Sequence, residues 1–271
     1  MSHKQRTLTT SMLKNSALLL CALLIQFTVS LSSSAATASS SVINSNVVSG
    51  DFVYVQEGDG SLLQYHVSKV DYQGTQAWQI SWQCDQLTAT HFLRTSDGKP
   101  LYVKRVNHVL KRTIEITYSQ DADLPTIYRK ESADELIERK IWDKELQDLG
   151  SLPQILTRVV QSQGEQKKLT FSAINYDDGK VYKLVAKQMG FRRVSTDKDS
   201  IRCAIYDVKL DSWLSSFVPK TRLLIPLEKD SSNFVTYNGP GLDSVADAWS
   251  LRLVGKGRSL AMAPHKKSNT Q

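Results

Sequence analysis

The chain has 271 residues, 41% of them hydrophobic and 23% charged, with 34 Lys and Arg against 27 Asp and Glu and a formal net charge of +7. The basic excess is largely terminal, and no basic stripe interleaved with aromatics marks a nucleic-acid face, so no nucleic-acid partner is expected. Beyond residue 31 no apolar run reaches the roughly twenty residues that a membrane helix needs, so no stable membrane span is expected in the mature chain.

The N-terminus carries Lys4, Arg6 and Lys14, then an apolar run over residues 17–31, then Ala36-Thr37-Ala38 within a small-residue tract. That order is the signature of a secretory signal peptide, residues 1–38, cleaved near Ala38. The run is short and interrupted by Gln26, which argues against an uncleaved anchor. Export to the periplasm is the expected localisation. Without the leader's three basic and no acidic residues, the charge falls from +7 to +4 over 233 residues. That length suits one large all-β domain or two small ones.

Residues 39–50, "SSSVINSNVVSG", are Ser-rich and aperiodic and read as a flexible lead-in. From Asp51 a period-two pattern takes over. "DFVYVQEGDGSLLQYHVSKV" predicts a hairpin around Gly58-Asp59-Gly60. In "AWQISWQCD", Trp78, Ile80, Trp82 and Cys84 share one face, and Gln79, Ser81 and Gln83 the other. "TATHFLRTSDGKPLYVKRVN" turns at Ser96-Asp97-Gly98-Lys99, with Pro100 opening the next strand. "KRTIEITYS", "PTIYRKES" and "DELIERKIWD" continue the meander.

The pattern breaks at "LGSLPQILTRVVQS". Ser151 is placed to cap and Pro153 to fill the first turn, and Leu152, Ile155, Leu156, Val159 and Val160 follow helical spacing up to a stop at Gly164. Strands then resume in "KKLTFSAINYDDGKVYKLVAKQMG", turning at Asp177-Asp178-Gly179, and continue through "SIRCAIYDVKL", "KTRLLIPLE", "NFVTYNGPG" and "DAWSLRLVG". Pro226 places its strand at an edge or a bulge. Residues 256–271 read as a basic disordered tail. About thirteen strands with one helix predict a mainly β fold. Residues 51–255 form a single curled antiparallel meander, a half-barrel or barrel, with one central amphipathic helix plugging or covering it.

The blocks "TSDGKPLYVKRVN" and "IWDKELQDL" and the closing run "IRCAIYDVKL", "LLIPLE" and "FVTYNGPG" together resemble periplasmic half-barrel proteins, the LolA/LolB-like lipoprotein-carrier group and related domains of unknown function. The resemblance is one of element order and spans most of residues 51–255. It implies an apolar-lined concave sheet that holds an acyl chain or another lipid-like ligand. It carries over no established functional residue. The chain lacks the extended hydrophobic protruding loop of the group's membrane-inserting receptors.

Chemistry-bearing motifs are sparse. His66, His91, His108 and His265 form no metalloprotease or helical pair; they read either as strand histidines converging on zinc or, more plainly, as satisfied strand residues. No G-x-S-x-G occurs, and "NGPG" and "GKG" lack the strand–loop–helix frame of a phosphate site, so no catalytic constellation, metal or cofactor is expected. The acidic run Asp134, Glu135, Glu138, Asp143, Glu145 and Asp148 is interleaved with Arg139, Lys140 and Lys144 and reads as a solvated face. Trp78, Trp82, Phe92, Tyr102 and Trp142 are the candidates to line a ligand cavity. Cys84 and Cys203, left after leader removal, are either a disulfide closing a loop of about 120 residues, worth roughly 4–5 kcal/mol, or two buried thiols. The leading expectation is a non-enzymatic envelope protein binding an apolar or lipid-like ligand. The alternative is an assembly factor that recognises an envelope protein partner through an open sheet edge.

Overall fold

The computed structural model describes residues 47–162, 168–195, 200–212, 219–228, 231–240 and 248–256. The signal peptide, the lead-in before Val47, His265 and the tail beyond Lys256 lie outside the described residues.

The period-two segments form strands as their alternation predicts. They are β1 (Gly50–Gln56), β2 (Leu62–Tyr72), β3 (Thr75–Gln83), β4 (Leu87–Arg94), β5 (Pro100–Asn107), β6 (Arg112–Thr117), β7 (Thr126–Glu131) and β8 (Leu136–Ile141). A two-residue strand, β9 (Leu146–Gln147), leads through a 3-10 turn (Leu149–Ser151) into helix α1 (Leu152–Ser162). Then come β10 (Lys168–Ile174), β11 (Val181–Ser195), β12 (Ser200–Leu210), β13 (Thr221–Pro226), β14 (Thr236–Pro240) and β15 (Ala248–Lys256).

All fifteen strands join one sheet in the order β8-β7-β6-β5-β4-β3-β2-β1-β15-β14-β13-β12-β11-β10-β9. Every neighbouring pair is antiparallel except β9 and β10, the pair that α1 connects. The sheet has to curl. β8 and β9 are its opposite edges, yet only residues 142–145 join them, a reach of at most about 17 Å. Fifteen flat strands at about 4.8 Å spacing would set those edges on the order of 65 Å apart. Among the described residues the expected curled antiparallel meander with a single α-helix is the observed architecture.

The β10–β11 turn straps the far edge. Tyr128 OH donates to the Tyr176 carbonyl at 2.8 Å, Lys130 Nζ to that of Asp177 at 2.9 Å, and Arg139 Nε to that of Asp178 at 2.9 Å. Gly179 (φ +67°) is required at this turn, because a Cβ there would overlap the Tyr128 ring at 2.5 Å.

The concave side is filled. Tyr54 stacks on Phe234 at 4.2 Å, while Tyr65 meets both Phe234 and Trp82 edge-on. Leu152 and Leu156 of α1 enter the same core as Phe52, Trp82, Phe171 and Leu223. The helix, however, is rotated from the simple expectation. Gln154 and Thr157 are fully buried, whereas Ile155 and Val159 are only half-buried. Thr157 Oγ1 lies 2.8 Å from both the Pro153 and the Asn233 carbonyls, which anchors the polar stripe inside. Ser151 does not cap the helix; its hydroxyl donates to Asp148.

The lead-in is ordered at its end. Val47 and Val48 are buried, and Asn233 clamps Val48 by accepting from its N–H at 3.1 Å and donating to its carbonyl at 2.8 Å. Pro226 is the last residue of β13. The strand is neither an edge nor bulged: β13 lies between β12 and β14, and Pro226 is tolerated because it pairs with Cys203 on one side and lies past the end of the β14 ladder on the other, where no N–H is needed.

Candidate binding cleft and the buried cluster behind it

At the junction of β9 and α1, Asp148 lies wholly inside the protein. His91 Nδ1 of β4 approaches Asp148 Oδ2 at 2.7 Å, and both side chains are 0% exposed. An ionised carboxylate only accepts, so Nδ1 carries the hydrogen. Ser151 Oγ donates to the same oxygen, and Tyr176 OH, from the β10–β11 turn, donates to the other. The Gly150 N–H donates to Tyr176 OH at 2.8 Å. Arg105 of β5 places Nη1 3.4 Å from His91 Nε2 and its guanidinium 4.6 Å from the Tyr176 ring centre.

Burial pushes the Asp148 carboxyl up. Attraction to His91 and the hydrogen bonds from His91, Ser151 and Tyr176 more than offset it and hold the group at about 2. Burial, and then the Asp148 charge, push the Tyr65, Tyr118 and Tyr176 hydroxyls up, so they stay protonated. Five atoms of this interior have no protein partner among the described residues: Tyr65 OH, Trp82 Nε1, Tyr118 OH and both amide atoms of Gln154.

Ser, His and Asp meet here without the order that nucleophilic catalysis needs. The hydroxyl donates to the carboxylate, and the free side of the imidazole faces a guanidinium. The arrangement pins β4, β5, the β9–α1 junction and the β10–β11 turn to one point.

The acidic run therefore divides. Asp134, Glu135, Glu138 and Glu145 are exposed and Asp143 is half-buried, as a solvated face requires, but Asp148 is not part of that face. Its partner lies 57 residues upstream, so local charge pattern carries no sign of it. The other described histidines have separate partners: His66 with Asp51 at 2.7 Å and His108 with Thr88 at 3.0 Å. Among the described residues no group of three or more His, Cys, Asp or Glu gathers to hold a metal ion.

The five aromatic candidates fall in three places. Trp78 and Trp82 are buried on the inner face of β3, with Lys69 Nζ 4.9 Å from the Trp78 ring. Phe92 and Tyr102 point to the outer face and form a ladder with Tyr72, at 4.3 Å and 6.1 Å respectively. Trp142 is 62% exposed beyond β8. Cys84 and Cys203 are free and do not pair. Cys84 is half-buried against the main core after β3. Cys203, on β12, sits in a separate cluster with Leu224 and Val235, with five strands between β3 and β12 in the sheet. Burial pushes the Cys203 thiol up to about 12, with Glu228 adding to the effect.

What the five candidates do not form, α1 and β10 do. A cleft of about 600 Å³ opens between α1, β9, β10 and the β4–β5 turn. Ile155 and Val159 form one wall, and Leu169, Thr170, Phe171 and Ser172 form the other. The rim mixes Asp97, Glu145 and Asp211 with Lys99, Arg158 and Lys183. Gly98 (φ +73°) leaves room for Arg158, whose Nη1 lies 1.2 Å from where a Cβ would stand. A second cavity of about 480 Å³ lies near Cys84 and Trp249, far from this wall in sequence. The signal for the main cleft was present in the helix: Ile155 and Val159 belong to its apolar stripe, but periodicity alone does not say which part of a stripe is covered. No family model, curated protein or solved structure matches the chain.

Proposed function

We propose that this chain is a non-catalytic binding protein of the cell envelope, and that the cleft between α1 and β10 is where it takes its ligand. The observation that carries the reading is the pairing of half-buried Ile155 and Val159 with Leu169 and Phe171 across an open space of about 600 Å³, within the range of ligand sites. The order of basic, apolar and small residues in the first 38 positions supports export to the periplasm. A ligand with an apolar or lipid-like body suits the wall, and the charged rim suits a polar end. A protein partner is the second reading, favoured by the sheet edge that borders the same cleft.

The test is titration with N-phenylnaphthylamine, an apolar fluorophore. Val159→Trp fills the cleft without touching the core side of α1 at Leu152 and Leu156. The wild type is expected to enhance the fluorescence, and the variant to lose most of that gain at an unchanged melting temperature. Equal enhancement by both proteins overturns the assignment of the cleft.

A further inference from the structure

We propose that the occupant of this cleft is an extended polypeptide segment that adds as a strand to the open edge of β10; this rests on the cleft being the binding site. Leu169, Thr170, Phe171 and Ser172 all line the one cavity. Successive strand residues project to opposite faces of a sheet, so a cavity touching four in a row takes in the strand's edge, while Lys183 of β11 and Asp211 carry its rim across one face. Among the described residues β9 pairs with β10 only at Ser172 and Ala173. The edge of residues 168–171, about 13 Å long, therefore meets the cleft instead of a neighbouring strand.

The two sheet edges differ in a way that decides between them. Along β8, Glu138, Arg139 and Lys140 are all exposed, the charged guard that keeps edges from pairing. The open part of β10 carries one charge, Lys168, followed by Leu169, Thr170 and Phe171. An acyl chain would use the apolar wall but leave the edge's backbone donors and acceptors unused. A strand uses both, and places every second side chain against Ile155, Val159, Leu169 and Phe171. Three acids and three bases balance on the rim, so the segment that fits is near neutral, with apolar residues at alternate positions.

The probe is a capped (Val-Thr)4 peptide with the full chain, alongside two N-methylated versions, one methylated at every valine nitrogen and one at every threonine nitrogen. The N–H groups of a strand alternate between its two edges, so only one set faces β10. The parent peptide is expected to bind and to slow amide exchange at residues 168–171. One methylated peptide should bind at least tenfold more weakly and the other about as well as the parent. If both methylated peptides match the parent, no ladder forms and the proposal is overturned. If no peptide binds while N-phenylnaphthylamine still does, in a way that Val159→Trp abolishes and palmitate displaces, the occupant is a lipid and the cleft reading survives. If neither class of probe binds, the cleft reading itself falls, and this inference with it.

Discussion

Asp148 is held by opposing forces, and the outcome makes stability depend on pH. Its folded value of about 2 lies below its ordinary value of 3.8. The unfolded chain therefore binds the proton first as pH falls. The contribution is complete above about pH 4 and is lost as pH drops through about 2, a loss of about 2 kcal/mol. Asp207 also sits at about 2, through hydrogen bonds from Arg222 and Lys220, so acid sensitivity of the wild type alone does not isolate Asp148. The difference between wild type and Asp148→Asn does. Denaturant titrations at pH 7, 4, 3 and 2 should show that gap narrowing by about 2 kcal/mol below pH 4; a constant gap assigns the acid response elsewhere. Trp82 makes a simpler case. It packs edge-on to Tyr65 and over Phe234 at 5.9 Å, and is 1% exposed. Trp82→Ala should cost about 3–5 kcal/mol in the same titration. Alternation in "AWQISWQCD" already showed Trp82 pointing inward. Nothing in "KELQDLG" distinguishes Asp148 from the exposed Glu145, because what sets it apart is a histidine 57 residues upstream on β4 that the fold brings to 2.7 Å.

The seat of α1 rests on close approaches that only glycine permits. A Cβ at Gly150 would stand 2.2 Å from Cε1 of the His91 ring, whose adjacent Nδ1 is held by Asp148 at 2.7 Å. Gly150→Ala must push His91 off the carboxylate and should cost more than the ~1–3 kcal/mol usual for overpacking. Gly255→Ala on β15, where a Cβ meets nothing within 4 Å, should fall within about 0.5 kcal/mol of wild type. The cost at Gly150 should shrink when Asp148 is already Asn, since both changes break one contact; additive costs in that double-mutant cycle would separate the glycine from the cluster. Much of the element layer was legible. Strands buried on one face announce themselves by period two, and the helix by its Pro153 start and apolar spacing. β9 was not, because two residues, Leu146 and Gln147, show no periodicity and owe their strand to β10. Nor was the rotation of α1, since the anchor that buries Thr157 is a carbonyl 76 residues downstream.

Over the whole molecule, strand alternation states which way a side chain points but not which strand it meets. It marks Cys84 and Cys203 as sharing apolar faces with their neighbours, yet the order of the sheet puts β2, β1, β15, β14 and β13 between their strands. Both thiols should therefore alkylate in denatured protein without reductant, and reduction should leave the melting temperature unchanged. The same order makes a stronger prediction about assembly. β1 to β8 form a sequential meander, β10 to β15 another, and the two meet through the β1–β15 ladder from Phe52↔Lys256 to Gln56↔Leu251. Their inner faces share one core, in which Tyr54 and Trp82 of the first half close on Phe234 of the second. At the opposite seam the connector of residues 142–145 supplies the covalent link, Lys144 ties it to the Leu124 carbonyl, and the β10–β11 turn straps β7 and β8; Trp142 at the connector's start is exposed. A protease site inserted after Trp142 and then cut should leave the halves bound, eluting together at the size of the intact protein. Cutting turns a unimolecular fold into a bimolecular one, so the melting temperature of the nicked protein should rise with its concentration while that of the uncut protein does not. Halves that separate on elution would mean the connector, not the central ladder and the shared aromatic core, holds the curl closed.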